Sequence, residues 1–223
     1  MSGGGRLGDL VSPALAGAGV LAIPVGACEQ HGPHLPLDTD TRIATAAAER
    51  LAAARRDVLL APPVAYGASG EHEDFPGTVS TGAEALRTLL IELIRSATRT
   101  FPRVLLVNAH GGNAAAIEAV LVHQRAEGRD VRAWHVNLHG DAHAGRAETS
   151  AMLALAPELV RLADARAGAP ESIGELLPRL RAEGVRRVSA NGVLGDPRGA
   201  SATEGETLLA RAAAELIAMV DAW

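Results

Sequence analysis

Four apolar runs limit what this chain can fold into: Val20–Val25, Val58–Val64, Val104–Val107 and Val131–Val136. Each is about as long as one buried strand, and none shows strict apolar/polar alternation. A strand with one face in water would alternate, because successive side chains point to opposite faces. Runs of this kind belong to parallel strands covered on both sides. The segments between them read as helices: Thr41 to Arg55, Ala83 to Thr100, Ala114 to Gly128 and, at the end, Ala202 to Ala222. Thr81 with Glu84, and Ser201 with Glu204, have the form of capping boxes, and Asn113 suits an N-cap. The alternation of strand and helix predicts an α/β protein with a mainly parallel central sheet sandwiched between helices. Residues 1–9, rich in glycine, are expected to be loose, and residues 10–223 to form one domain. Pro157 to Arg187 scatters proline, glycine and arginine and predicts no clear element.

In a sheet of this kind, ligands bind beyond the carboxyl ends of the strands, and the polar clusters of this sequence fall there. Directly after the first run, Glu29 to Asp40 packs two histidines and three carboxylates into twelve residues. Buried charge at a strand end must be paired or bound to a cation. Oxygen and imidazole donors without thiolate suit zinc, manganese or iron rather than a cysteine-type zinc knot. The Tyr66 to Gly77 loop follows the second run, His110-Gly111-Gly112-Asn113 the third, and His139 to Glu148 the fourth.

Composition removes several functional classes. A net charge of -5 gives no basic footprint for nucleic acid. No apolar run is long enough to span a bilayer, and no signal segment opens the chain, so a cytoplasmic protein without a membrane partner is expected. Cys28 is the single cysteine, which excludes an internal disulfide, and it reads as a small packed side chain. All 21 basic residues are arginine. With no lysine, Schiff-base chemistry and the P-loop are excluded.

Of eight histidines, six lie in the strand-end loops: His31, His34, His72, His110, His139 and His143. His123, in a helix, and His135, in a strand, read as structural. Any one loop histidine could equally be a satisfied hydrogen-bonding residue, but their shared placement favours a common site. Glu29 and His31, one residue apart, point the same way in an extended segment. Asp40 has two oxygens and could bridge two ions roughly 3.5 Å apart. His110 would add an imidazole, beside glycines that let the backbone approach. Glu148 reads either as a further ligand or as an ordinary first-turn helix acid.

These blocks resemble the creatininase family. The likeness is carried in order by Pro24-Val25-Gly26 through Asp40, Glu71-His72 with Phe75-Pro76-Gly77-Thr78, Asn108 to Asn113, and Asp141 to Gly145 with Glu148-Thr149-Ser150. It implies a three-layer α/β/α sandwich, a binuclear centre of divalent ions (Fe2+, Zn2+ or Mn2+), amide-bond hydrolysis and a homo-oligomer, often a hexamer. Carried over, the family pattern makes Glu29, His31, Asp40, His110 and Glu148 the metal ligands, with Asp40 bridging, and His143 the histidine that handles protons. His34 and Asp38 then become supports. One departure matters: creatininase itself has an acidic residue where this chain has Gly112, which argues against creatinine as substrate. Asp38 through Ala44 and Asn191 through Pro197 resemble a branch of the family that cleaves a modified precursor peptide and releases its C-terminal Val-Tyr-derived dipeptide.

The expected chemistry is hydrolysis by ion-activated water, with His143 and Glu148 as catalytic groups and Glu71, His72 and Asn113 binding substrate. Two rival readings fit the same residues. One is a relative acting on a small formamide or cyclic amide; the other is a non-catalytic protein that has kept the fold.

Overall fold

The computed structural model describes residues 5–15 and 19–223. Four parallel strands form the sheet: β1 (Val20–Val25), β2 (Val58–Leu60), β3 (Arg103–Asn108) and β4 (Asp130–His135), in the order β2-β1-β3-β4. The register sets Val20 beside Val58 and Arg103, and Arg103 beside Asp130. The second apolar run is shorter as a strand than expected: its ladder ends at Leu60, and only the bridge between Val25 and Val64 continues it. Pro62 and Pro63 explain the break, since proline has no N–H for the ladder.

Helices cover both faces. Leu21, Ile23 and Val25 point to one side, where they meet Leu86, Leu90 and Ile94 of α2 (Ala83–Ala97) and Ile117 and Val120 of α3 (Ala114–Ala126). Val20 and Ala22 point to the other, against Ala47, Ala48 and Leu51 of α1 (Thr39–Ala54) and Leu216 of the C-terminal helix, Ala202–Asp221. The period-2 alternation of β1 thus divides its side chains between two apolar cores, which is why the run carries no polar residue. The architecture is the expected three-layer sandwich. The alanine-rich faces of α1 let it lie close on the sheet.

Further elements follow the last strand. They are α4 (Arg146–Leu155), α5 (Ile173–Glu183), α6 (Val185–Val188) and the C-terminal helix, now α7. The stretch that predicted no clear element contains α5, begun by a reciprocal capping box of Ser172 and Glu175. Two other capping expectations are corrected. α2 starts at Gly82 without a side-chain cap, and the Thr81 hydroxyl donates instead to the Gly67 carbonyl. Asn113 makes no cap either. At α7, Ser201 accepts from the Glu204 N–H, but the Glu204 carboxylate turns to Arg146 and Ser150.

Of the expected loose segment 1–9, residues 1–4 lie outside the described residues. Gly5 accepts from the Leu60 N–H, and Arg6 pairs with Leu60 and with Glu49.

Because Leu105 is fully buried at the centre of the sheet, Leu105→Ala should destabilise the protein by about 2–5 kcal/mol. Val122→Ala, on the exposed face of α3, should change it by less than about 0.5 kcal/mol. Urea unfolding midpoints of the two variants check this.

Candidate functional site

Each strand delivers its residues to one edge. Beyond β1 the chain turns so that the Glu29 N–H donates to the Leu37 carbonyl at 2.9 Å. Gly26 lets α1 seat on this turn, for a Cβ there would lie 2.3 Å from Thr41 Oγ1. That close approach brings Asp40, in the first turn of α1, against Glu29 and His31. Beyond β3, the Ala109 N–H donates to the Val25 carbonyl and directs His110 inward. Beyond β4, His143 forms a two-bond bridge with Leu194, at 3.2 and 2.8 Å. Glu148 follows in the first turn of α4, its Oε2 accepting from the Ala144 N–H at 2.6 Å.

The result is a continuous cluster. His110 Nδ1 lies 3.2 Å from Glu29 Oε2 and 3.3 Å from Asp40 Oδ2. His31 Nε2 lies 3.1 Å from Asp40 Oδ1 and 4.0 Å from Glu148 Oε2. His143 Nδ1 is 3.7 Å from Glu29 Oε1. Three sets are close enough to share an ion: Glu29-Asp40-His110, His31-Asp40-Glu148 and Glu29-His31-His143. Asp40 contributes one oxygen toward His110 and the other toward His31, so it stands between the first two sets.

Two observations show that these residues fit divalent ions. Both Glu29 carboxylate oxygens and Asp40 Oδ2 are buried without a hydrogen-bond partner, an arrangement that costs several kcal/mol per ion unless a cation compensates it. The ring orientations agree. His31 Nδ1, His110 Nε2 and His143 Nε2 each face a backbone carbonyl, of Glu29, Ala68 and Gln30, at 3.2, 3.0 and 2.9 Å. A nitrogen facing a carbonyl carries the proton, which leaves the inward nitrogen of each ring with its lone pair free.

Electrostatics within the cluster follow. Burial alone would lower His31, but Asp40, then Glu148 and Glu29, overcome it and raise its pKa to about 10. His110 is likewise raised, against burial, by Glu29 and Asp40. Asp40 is held far below the carboxylate range, again against burial, by His31 and His110. Burial pushes Glu148 up to about 7, opposed by His31. The carboxylates thus draw positive charge onto neighbouring imidazoles, and a divalent ion satisfies the same demand by displacing those protons. Burial, and after it the charge on His31, lowers His72 to about 3 and keeps His143 well below its usual value.

The other expected residues divide. Glu71 stands at the rim, 3.8 Å from His110 Nε2, and burial raises its carboxyl. His72 is 4% exposed and lies within the cluster rather than on its open side. Asn113 does not face substrate, because its buried amide is used elsewhere: Oδ1 accepts from the Ala68 N–H, and Nδ2 donates to Gly26 and Asn108. It ties three strand-end loops together. His34 supports α4 through Thr149 at 2.9 Å. Asp38 pairs with Arg42, and His139, on the wall of the cavity beside the cluster, turns its Nε2 toward Glu215 at 3.5 Å. Gly112 has no room for a side chain, since a Cβ would lie 2.4 Å from both the Ala68 carbonyl and His110 Nε2.

A cavity of about 280 Å³ opens on Asp40, His110, His143 and Glu148, walled by Leu138 and Ile173. The segment without a predicted element roofs this edge: Leu176, Leu180 and Val185 pack with Leu194 against Phe75 of the β2 loop. Sequence reading missed Gln30, whose side chain reaches His72, His143 and Gly192. Its place between Glu29 and His31 was the available signal, although simple alternation would have turned it away from them.

A parallel sandwich with buried carboxylates and imidazoles at its carboxyl edge defines the class of α/β proteins whose donors fit divalent ions. The family model described as creatinine amidohydrolase matches residues 10–220, and the chain belongs to the creatininase family. A mycofactocin precursor peptide peptidase of Mycolicibacterium smegmatis is 50% identical over 197 residues, covering 86% of this chain and 80% of the relative. One from Mycobacterium ulcerans is 49% identical over 213 residues, covering 91% and 85%. Among solved structures, a manganese creatininase superposes with a TM-score of 0.77 at 27% identity, covering 96% of each chain. A mutant creatininase of Zn–Zn type gives the same values. The chain is thus an amide-bond hydrolase of this family.

Adding Mn2+ or Zn2+ to metal-free protein should raise its stability, by about 2.7 kcal/mol when the free ion is a hundredfold above Kd. His31→Ala and Asp40→Ala should lose most of that gain in thermal melts, and an unchanged gain in both would remove these residues from the site.

Proposed function

We propose that this protein is a metal-dependent peptidase that releases the C-terminal Val-Tyr-derived dipeptide from the modified mycofactocin precursor peptide. The observation that carries the reading is a complete cluster of Glu29, His31, Asp40, His110 and Glu148 in a chain about half identical to peptidases of that name. Gly112 supports it against creatinine, because packing leaves no space there for an acidic side chain.

Glu29, Asp40 and His110 would hold one ion, and His31, Asp40 and Glu148 a second, with Asp40 shared; iron, zinc and manganese all suit such donors. Divalent ions bound there supply Lewis acidity, which lowers the pKa of water and polarises the scissile carbonyl. The protein supplies orientation and proton transfer. His143 is fixed with its Nε2–H on the Gln30 carbonyl and its bare Nδ1 turned inward. It can therefore take the proton of the attacking water and pass it to the departing amine. Glu71, at the rim, and the walls Leu138 and Ile173 would receive the peptide end, while the buried cluster excludes bulk water.

The peptidase acts as a homo-oligomer in the cytoplasm, on a peptide rather than a membrane or nucleic-acid substrate. No helix among the described residues is long and apolar enough to cross a membrane.

Mass-spectrometric measurement of dipeptide release tests the reading. Chelation should abolish release, and returning one of the three metals should restore it. His143→Ala should lower kcat by about 10²–10⁴-fold, the range of general acid–base catalysis, while KM stays near that of the parent. Undiminished release after rigorous metal removal would end this proposal.

A further inference from the structure

His72 differs from the other histidines of the cluster in what holds it. His31, His110 and His143 each turn their outer nitrogen to a backbone carbonyl, which only accepts. His72 turns its outer nitrogen, Nδ1, to the side-chain amide of Gln30, with 2.8 Å between Nδ1 and Nε2 of the amide. The orientation of that amide is settled at both ends. Gln30 Oε1 accepts from the Gly32 N–H at 2.9 Å, and Nε2 donates to the Gly192 carbonyl at 3.1 Å. The amide group facing His72 is therefore the NH2, which can only donate.

His72 Nδ1 must accept, so it carries no proton. A doubly protonated ring would set donor against donor at 2.8 Å. The ring is therefore neutral with its proton on Nε2, and Nε2 points at Glu29 Oε1, 3.5 Å away. That oxygen is fully buried and has no hydrogen-bond partner. The same network gives His143 the opposite form: its Nε2 lies 2.9 Å from the Gln30 carbonyl and 3.1 Å from Gln30 Nε2, and with the two amide hydrogens directed to His72 Nδ1 and the Gly192 carbonyl, the shorter contact takes the His143 proton. One glutamine thus fixes two neighbouring imidazoles, whose rings are 4.6 Å apart, with their inward nitrogens in contrary states.

We propose that His72 is a positioning residue for the metal centre: locked by Gln30 as the Nε2–H form, it donates to Glu29 Oε1 and leaves Oε2 to face the ion. It is neither a ligand nor a substrate contact. A hydrogen bond on the outer oxygen of a ligating carboxylate fixes its orientation and spreads its charge, and losing such a partner weakens metal binding by about 10–100-fold. The role rests on the metal-dependent reading above.

The test uses Mn2+ or Zn2+ alone, titrated into metal-free protein against a competing chelator, with the variants His72→Gln, His72→Asn and Gln30→Leu. Glutamine can place an N–H near the position of Nε2, whereas asparagine is too short. His72→Gln should bind ions within about threefold of the parent, and His72→Asn should bind about 10–100-fold more weakly. Gln30→Leu should follow His72→Asn. The parent and all three variants should bind the same number of ions at saturation. In 15N spectra of the parent, His72 should show a protonated Nε2 and a bare Nδ1, and Gln30→Leu should abolish that preference. Loss of one ion in every His72 variant would make the residue a ligand and overturn the proposal. So would unchanged affinity with a raised KM, which marks a substrate contact, or a protonated Nδ1 in the parent. A parent protein that binds no ion at all would instead overturn the metal-dependent reading itself, and the 15N spectrum would still report whether Gln30 sets the ring.

Discussion

The structure depends on negative charge placed where water cannot reach it. Glu29 and Asp40 sit at the carboxyl edge of the sheet with three oxygens buried and unpartnered. Carboxylates in such a position are tolerable only beside compensating positive charge. Much of the surrounding chain supplies or arranges that compensation. Imidazoles arrive from three strand-end loops, each orienting a free nitrogen inward. The backbone carbonyls behind them act as the fixed frame. The two apolar cores on either side of the sheet hold that frame still, because rigid packing keeps the loops from relaxing around the charge.

Much of this was legible from residue order. Non-alternating runs gave the parallel sheet, since β1 distributes its side chains between two cores. The placement of polar clusters after those runs located the edge where Glu29, His31, Asp40, His110, His143 and Glu148 meet. Element bounds failed where local chemistry intervened, as at Pro62 and Pro63, which cut short the second strand. Capping was less legible. Thr81 has the right spacing to Glu84, yet a nearby carbonyl at Gly67 takes its hydroxyl. A one-dimensional pattern cannot reveal such a competitor.

Side-chain roles within the site were the least legible part. Asn113 and His72 have residue types suited to binding substrate, but type does not reveal which way an amide or imidazole faces. Asn113 is consumed in joining loops, and His72 is turned by Gln30, a residue with no chemistry of its own to attract notice. The roof over Phe75 was equally hidden. Its Leu176, Leu180 and Val185 lie a hundred residues beyond their partner in the chain. No local periodicity encodes that distance.

The bridge between His143 and Leu194 bears on how the protein is made. By Glu148 the ribosome has synthesised every candidate ligand, yet the two backbone bonds that seat His143 wait for Leu194. Gly192, which anchors the Gln30 amide, is also near the end of the chain. Contacts over such separations form late, because the intervening chain must close into a loop first. During synthesis the carboxylates therefore exist for a time without the groups that arrange them. A cation captured in that interval would meet a looser, more solvated set of donors than the finished site presents.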